Sequence, residues 1–242
     1  MRKTAFLGVL VAVIFVYIPL VLASEVGSGI SADVGINMLK AGNDRFVQGK
    51  PSRPNEGPDR RKLTTVKGQT PFASLLSCSD SRVPVEAIFD QGIGDIFVVR
   101  VAGNVANVDE TASLEYGADH LGTPLLLVLG HTHCGAVTAV VQGAEVHGNI
   151  STLVKSIVPA VAQAKKNNPG VSGDALINAA IDANVWQAIE DLFKSSPIIS
   201  NRVRSGKLKV IGALYNIDTG KVTWMGPHPK QDQFLSASKT NH

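Results

Sequence analysis

Short, almost uniformly apolar runs constrain the fold of this chain more than any other feature. The clearest run, from Pro124 to Leu129, carries five consecutive apolar side chains after the proline. Phe72–Ser77 and Asp95–Val101 also read as strands of the core. A strand that is apolar on both faces is typical of a parallel sheet covered by helices on both sides. These runs therefore predict a buried, mainly parallel sheet.

The segments between these runs predict helices, so strands and helices alternate through most of the chain. Apolar spacing and capping residues predict helices at Ser31 to about Gln48, shortly after Pro84, and at Asp109–Leu121, Gly135–Val141, Ile150–Lys166 and Asp174–Lys194. Two later strands, Lys207–Leu214 and Lys221–Met225, flank a turn and predict a hairpin. The expected fold class is α/β, with a mainly parallel central sheet, an antiparallel edge strand and flanking helices.

Two polar stretches carry no periodic pattern. Gly49–Thr70 contains three prolines and many charges, which predicts an extended arm or loop. Together with the N-terminal helix, this arm is expected to pack on a partner subunit. The sequence from Gly226 onward is polar and predicts a loose tail.

The N-terminus has the pattern of a secretory signal. Two basic residues precede an apolar run from Ala5 to Ala23, and the run ends in small residues, as before a cleavage site. The run is long enough that an uncleaved N-terminal anchor is the alternative. We therefore expect residues 1–23 to be a signal peptide or anchor and residues 24–242 to form one domain. That domain is expected in the periplasm or outside the cell.

The charge of the chain excludes one class of partner. The formal net charge is only +3, and Lys and Arg are scattered apart from two short clusters. A nucleic-acid-binding protein usually carries a basic stripe, which this sequence lacks. We expect a small-molecule substrate, no nucleic acid and, if the leader is cleaved, no stable membrane association.

The only two cysteines of the chain each follow a predicted strand. Cys78 ends the first apolar run, and Cys134 comes three residues after His131 at the end of the third. Sites in parallel sheets form beyond the carboxyl ends of the strands, so one site is expected to contain all three side chains. Two thiolates and an imidazole with a free fourth position favour Zn²⁺. A disulfide between the two cysteines of an exported chain is the alternative.

A carboxylate and a guanidinium follow the first cysteine. Asp80 and Arg82 lie two and four residues beyond Cys78. Two roles for Asp80 are open: it fills the fourth position on the metal, or it accepts a hydrogen bond from metal-bound water. A bidentate pair with Arg82 would hold the carboxylate for the second role. Zinc can then lower the pKa of its water to about 7, and the hydroxide can attack a small electrophilic carbon.

The motifs Cys-Ser-Asp-Ser-Arg-Val-Pro and Gly-His-Thr-His-Cys-Gly together closely resemble those of the β-class carbonic anhydrases, and the likeness covers about residues 31–225. The resemblance implies reversible hydration of carbon dioxide to bicarbonate and a proton by zinc-bound hydroxide. It also implies a homodimer or higher homo-oligomer, with the N-terminal helix packing across the interface. The zinc ligands and catalytic dyad that it implies are Cys78, His131 and Cys134, with Asp80 and Arg82.

The resemblance extends to the substrate groove. Plant-type members line this groove with a glutamine, a phenylalanine and a tyrosine, and the matching positions are Gln69, Phe97 and Tyr116. It implies that Gln69 donates a hydrogen bond to a substrate oxygen and that the two rings form an apolar wall, partly supplied by the other subunit. Another branch is inhibited by bicarbonate through a tryptophan three residues before the first cysteine. Leu75 occupies that position here, so we expect no such inhibition.

Two other functions remain open at this stage. The same zinc site could hydrolyse carbonyl sulfide or carbon disulfide, because fold and metal ligands do not fix the substrate. The chain could instead be a non-catalytic module that binds zinc or bicarbonate, although such a module has no need of Asp80 and Arg82. His133 is a weaker candidate ligand, since one turn cannot easily direct both it and His131 at one metal.

Overall fold

The computed structural model describes residues 27–237, and a five-stranded sheet lies at its centre. The strands are β1 (Ala73–Ser77), β2 (Ile96–Arg100), β3 (Leu125–His131), β4 (Lys209–Tyr215) and β5 (Val222–Gly226). Their order across the sheet is β2-β1-β3-β4-β5. The first three pairings are parallel, and only β4 and β5 pair antiparallel. The predicted α/β fold with an antiparallel edge strand is confirmed.

Ten α-helices accompany the sheet in the described part of the chain. They are α1 (Ala32–Val47), α2 (Pro58–Lys67), α3 (Val85–Ile88), α4 (Val108–Glu115), α5 (Gly135–Gln142), α6 (Ile150–Leu153), α7 (Val158–Asn167), α8 (Gly173–Ser195), α9 (Pro197–Arg204) and α10 (Gln231–Ala237). A π-helical turn at Tyr116–His120 follows α4 directly. Most of these helices lie between strands, as the alternating pattern predicts.

The helices cover both faces of the sheet. On one face, Leu75 of β1 packs in a core cluster with Leu39 of α1 and Ile88 of α3. On the other face, Leu76 packs with residues of α4 and α8, including Leu114 and Leu192. Consecutive residues of a strand point to opposite faces, so a strand between two helical layers is apolar at most positions. This requirement explains the uninterrupted apolar runs of the sequence.

Two glycines allow α8 to lie directly against the sheet. A Cβ atom added at Gly130 of β3 would stand 2.5 Å from the Val185 side chain, and one at Gly212 of β4 would stand 2.9 Å from it. Contacts this short do not occur between real side chains, so larger residues would push α8 away. The close approach matters for function because α8 also packs beside the loop that follows β2.

The structure differs from the sequence prediction in the arm. The sequence of Gly49–Thr70 predicts an extended arm or loop, but the segment contains α2. Pro58 suits the first turn of a helix, and Gly68 at the end adopts a positive φ of 77°. No residue of α2 is buried in this chain. The helix therefore lacks the apolar stripe by which sequence patterns are recognised.

Three further differences lie in the C-terminal half. The predicted helix Ile150–Lys166 is divided into α6, a 3₁₀ turn and α7, with Pro159 in the first turn of α7. Proline cannot donate a helical hydrogen bond, which favours the break at this point. Helix α9 has no counterpart among the predicted elements. The tail, for which the sequence predicts a loose conformation, forms α10, where Leu235 joins the core and its carbonyl accepts a hydrogen bond from Arg204.

Asp90 ties the start of the arm to the domain. Its Oδ2 accepts hydrogen bonds from Arg45 Nε at 2.5 Å and from both the N–H and the hydroxyl of Ser52 at 2.8 Å. Its Oδ1 accepts a hydrogen bond from the Arg53 N–H at 2.8 Å. Burial raises the pKa of the carboxyl, but the Ser52, Arg45 and Arg53 donors outweigh it and hold the pKa below its usual range. Asp90 is therefore a buried charge whose partners come from α1 and the following segment.

No helix within residues 27–237 is both long and apolar enough to cross a bilayer. The predicted leader, residues 1–23, lies outside the described residues. The leader and the single-domain boundary at residue 24 therefore stay predictions.

Candidate active site

The candidate site lies at the carboxyl ends of β1 and β3, which are neighbours in the sheet. Cys78 is the first residue after β1, His131 is the last residue of β3, and Cys134 is the N-cap of α5. One ligand atom from each of the three residues lies within 4.8 Å of the others. All three are buried, with exposed fractions of 4%, 0% and 1%. The sheet thus brings together residues that are up to 56 positions apart in the chain.

The imidazole of His131 is oriented for a metal. Its Nδ1 lies 2.9 Å from the carbonyl oxygen of Thr132. A carbonyl only accepts hydrogen bonds, so Nδ1 carries the proton and Nε2 presents a lone pair. Nε2 is buried and has no hydrogen-bond partner. A buried acceptor without a partner is costly, and a cation between it and the two sulfurs would satisfy it.

The two thiols interact strongly because they are close and buried. Both cysteines are free, so the disulfide alternative is not realised. A hydrogen bond from Cys134 lowers the pKa of the Cys78 thiol, and the N–H of Gly103, 3.3 Å from its sulfur, acts in the same direction. The same hydrogen bond, together with burial, raises the pKa of the Cys134 thiol. The site therefore readily holds one negative charge, and a metal ion would favour the second.

The end of β4 fixes the turn that carries His131 and Cys134. The N–H of Thr132 donates to the Tyr215 carbonyl at 2.9 Å, and the Thr132 hydroxyl accepts from the Ile217 N–H at 3.0 Å. His133 has a positive φ of 57°, which reverses the chain between the two ligand candidates. These contacts hold the turn against the carboxyl end of β4.

Asp80 and Arg82 form a bidentate ion pair beside the thiol–imidazole group. Two nitrogens of Arg82, the side-chain Nε and the backbone nitrogen, each lie 2.9 Å from Asp80 Oδ1. The side-chain Nη2 of Arg82 lies 2.7 Å from Oδ2. Nη2 also donates to the His133 carbonyl at 3.1 Å. The hydrogen bonds from Arg82 hold the pKa of the Asp80 carboxyl well below its usual range. Asp80 is therefore ionised, and its carboxylate is engaged by Arg82.

Arg100 also belongs to the site. The sequence predicts only that it lies near the end of the strand Asp95–Val101. Its Nε donates to the Cys78 carbonyl at 3.0 Å, and its Nη2 donates to the Asp80 carbonyl at 2.7 Å. The guanidinium thus fixes the backbone of the segment between the thiol and the carboxylate. Arg100 stands opposite Ser77 in the parallel register of β1 and β2, a relationship that becomes visible only once the strands are paired.

The predicted groove residues are only partly brought together within one chain. The rings of Phe97 and Tyr116 have centroids 6.0 Å apart, and Tyr116 remains 45% exposed. Tyr116 also stacks on His120, with centroids 4.7 Å apart. Gln69 is exposed in the loop between α2 and β1. The two aromatic residues therefore form a surface that one chain leaves open, and the roles assigned to all three stay predictions.

His133 lies outside the thiol–imidazole group. Its Nε2 lies 3.0 Å from Asp218 Oδ2, and both side chains are more than half exposed. His131 and not His133 belongs to the group of converging ligand atoms. This geometry agrees with the expectation that one turn presents a single imidazole to the site.

The parallel sheet and the buried thiol–imidazole group at its carboxyl edge define an α/β protein with a metal-binding group, and comparisons identify its family. The sequence profile described as carbonic anhydrase matches residues 73–222. Carbonic anhydrase 2 of Mycobacterium tuberculosis is 37% identical over 187 residues, 76% of this chain and 87% of the relative. The carbonic anhydrase of Mycolicibacterium smegmatis is 35% identical over 188 residues, 76% of this chain and 88% of the relative.

A solved structure agrees with these relatives. The β-carbonic anhydrase CcaA superposes with a TM-score of 0.63 at 27% identity, covering 80% of this chain and 100% of that chain. The chain belongs to the β-carbonic anhydrase family, which confirms the resemblance seen in the two motifs. It is accordingly an enzyme of the carbonic anhydrase type, and membership of the family supports hydration of carbon dioxide.

Proposed function

We propose that this protein catalyses the reversible hydration of carbon dioxide with zinc held by Cys78, His131 and Cys134. The observation that carries the proposal is the buried, unpartnered Nε2 of His131 facing two thiol sulfurs within 4.8 Å. Two thiolates and one imidazole are a ligand set typical of catalytic zinc with one position left for solvent. When bound, zinc acidifies a water ligand and so supplies the nucleophile at neutral pH.

The residues of this chain have separate tasks in that reaction. Arg82 occupies both oxygens of Asp80, so the carboxylate does not close the fourth position. Oδ2 accepts only one hydrogen bond from Arg82, whereas Oδ1 accepts two, so Oδ2 retains acceptor capacity for the nucleophilic water. Because the pKa of Asp80 is held low, it orients that water as a permanent acceptor and does not store its proton.

The apolar part of the site is proposed to receive the substrate. Phe97 and Tyr116 offer a wall against which a small, uncharged molecule packs, and Gln69 is proposed to donate a hydrogen bond to one of its oxygens. Since one chain leaves Tyr116 exposed, we propose that a second copy covers it. The minimal active unit is then a homodimer.

The proposed compartment follows from the N-terminal pattern. We propose that residues 1–23 direct export and that the enzyme works in the periplasm or outside the cell. N-terminal sequencing of protein recovered from the host's periplasm or medium tests this: a start at Ser24 supports cleavage, and a start at Met1 in the membrane fraction supports an anchor.

A single purified sample tests the catalytic proposal. We expect one zinc ion per chain and carbon dioxide hydration that rises as the pH approaches neutrality from below. Carbonyl sulfide and carbon disulfide, tested on the same sample, distinguish the hydrolase alternative. A protein that binds zinc but turns over none of the three substrates would instead be a non-catalytic module.

A further inference from the structure

Asn184 is a buried polar residue on a helical face that is otherwise apolar. It lies in the middle of α8, where its neighbours Ala180, Ile181 and Val185 are all buried, and its own exposed fraction is 2%. Asparagine is a poor helix former, and a buried amide costs free energy unless it is hydrogen-bonded. A leucine at this position would suit both the helix and the core. The amide therefore requires an explanation in the contacts that it makes.

The side chain of Asn184 reaches the loop beside the metal-binding group. Its Nδ2 donates to the carbonyl oxygen of Gly103 at 2.7 Å. Because a carbonyl only accepts, the amide nitrogen must face Gly103. The N–H of the same glycine donates to the Cys78 sulfur at 3.3 Å. A chain of two hydrogen bonds thus runs from the centre of α8 through one residue to a candidate metal ligand.

Gly103 needs such a support because its conformation is unusual. Its φ is +75°, and a Cβ atom there would lie 2.7 Å from the Ile157 side chain. Glycine visits this region easily but also leaves it easily, so the orientation of its peptide groups must be fixed from outside. The hydrogen bond from Asn184 fixes the residue whose N–H faces the sulfur. On the other side of the same peptide group, the Asn104 N–H donates to the Val101 carbonyl at 3.1 Å, and the Gly103 carbonyl is held by Asn184.

We propose that Asn184 is a positioning residue for the metal centre, which holds Gly103 so that its N–H donates to the Cys78 thiolate. The inference rests on the proposed function only in taking Cys78 as a metal ligand. A hydrogen bond to a thiolate sulfur withdraws electron density from it and restricts its position. Groups that orient metal ligands from behind typically change metal affinity 10–100-fold when they are removed.

The test compares two leucine substitutions at buried asparagines. Asn184→Leu removes the donor with little change of shape. Asn43→Leu is the matched control, because Asn43 is 5% exposed and its Nδ2 also donates to carbonyls, those of Ile88 and Gly220, in a different part of the fold. Both variants are expected to lower the stability of the metal-free protein. The two variants should differ in zinc binding only if Asn184 has a role at the metal centre.

Zinc affinity is measured on the metal-free full chain by competition with a chromophoric chelator. We expect Asn184→Leu to bind zinc about 10–100-fold more weakly than the wild type and Asn43→Leu to bind it equally well. In the cobalt(II)-substituted proteins, loss of the hydrogen bond raises the energy of the sulfur electrons. The thiolate-to-cobalt charge-transfer band should therefore move to longer wavelength in Asn184→Leu alone.

Asn184→Ala keeps the test decisive if the leucine variant does not fold, since alanine adds no bulk and suits a helix. Unchanged zinc affinity and an unchanged cobalt spectrum in a folded Asn184 variant would overturn the inference, and hydration by the wild type would leave the proposed function standing. Conversely, a wild type that binds zinc without hydrating carbon dioxide overturns the function. The difference between the Asn184 and Asn43 variants would still support the positioning role.

Discussion

Asp80 and Arg82 are joined by two nearly parallel side-chain hydrogen bonds, from Nε to Oδ1 at 2.9 Å and from Nη2 to Oδ2 at 2.7 Å. The carbonyl of His133 accepts a further bond from the same guanidinium, which anchors Arg82 to the turn that carries Cys134. The pair therefore links the two strand ends that supply the metal-binding group. The carboxylate in this structure is held by arginine, which favours the second of the two roles that the sequence leaves open for Asp80.

Replacing Asp80 with asparagine tests the role of this carboxylate. The amide side chain would keep the shape, but it would lose the charge and one acceptor oxygen. We expect kcat/KM for carbon dioxide hydration to fall by about 10²-fold or more, as when a group that orients the reacting molecule is lost. Zinc content should not change, because the carboxylate lies outside the ligand cluster. Asp109→Asn, an exposed acidic residue of α4, is the control and should retain full activity. Equal activity in the two variants would show that hydration does not depend on the Asp80 carboxylate.

Removal of the metal should abolish hydration and lower stability together. The folded chain offers a preformed site and the unfolded chain does not, so binding contributes to folding. At free zinc 1,000 times the dissociation constant, the free energy of unfolding should be about 4 kcal/mol higher than without metal. Denaturant unfolding with and without a chelator measures this difference. Cys134→Ser should reduce it by weakening binding, whereas a zinc-independent stability in the wild type would contradict the assigned ligands.

Asp90 should make the stability of the arm sensitive to acid. Its pKa is depressed in the folded chain, so the unfolded chain binds the proton more readily. The stabilisation is therefore complete above the unfolded pKa of about 4 and is lost as the pH falls from there toward the folded value. Asp90→Asn should cost about 2–3 kcal/mol at pH 7, as expected for hydrogen bonds to a buried charge. Its unfolding free energy should also fall less steeply below pH 4.

The control for this prediction is Asp174→Asn, which removes an exposed carboxylate in the first turn of α8. Denaturant unfolding between pH 2 and 7 is compared for the three proteins. If the unfolding free energies of the Asp90 variant and the wild type fall equally steeply below pH 4, Asp90 is not the group responsible for the acid sensitivity.

The centre of the site was predictable because its residues sit at chain positions that the sheet itself determines. Cys78 and His131 end strands that are recognisable from apolar runs, and neighbouring parallel strands end at one edge. Asp80 and Arg82 follow within one short turn of Cys78. For these residues, strand recognition alone was sufficient to predict their proximity.

The supporting residues depend on contacts that no local pattern reports. Arg100 is at a strand end like Cys78, but its two carbonyl partners follow only from the register of β1 and β2. Asn184 interrupts the apolar stripe of α8, and that interruption was the one available signal. Helix α2 has no buried residue, and the position of α10 is set by Leu235 and Arg204. In each case tertiary packing decides the structure.

Bicarbonate should act on this enzyme only as a product. Leu75 is fully buried on β1, between Val98 and Leu127 of the neighbouring strands, and its side chain carries no hydrogen-bond donor. It therefore lacks the ring N–H donor that a tryptophan at this position would have. We expect simple inhibition with a Hill coefficient of about 1 as bicarbonate is raised. Sigmoidal inhibition, or a crystal at acid pH with Asp80 on the zinc, would contradict this.

Helix α2 should be required for assembly and, through assembly, for activity. None of its residues is buried, and its apolar side chains Leu63 and Val66 are 50% and 70% exposed. In the proposed homodimer a second copy would cover this helix and remove that surface from water, and the same assembly would complete the groove beside Tyr116. The double variant Leu63→Glu, Val66→Glu would place unpaired charges in the proposed interface, which should weaken the proposed dimer roughly 100-fold or more. Over a dilution series, the fraction of dimer measured by analytical ultracentrifugation and the activity per chain should fall together. Val171→Glu, at an apolar residue that is 39% exposed between α7 and α8, should leave both unchanged. A double variant that is monomeric and fully active would show that one chain forms the complete site.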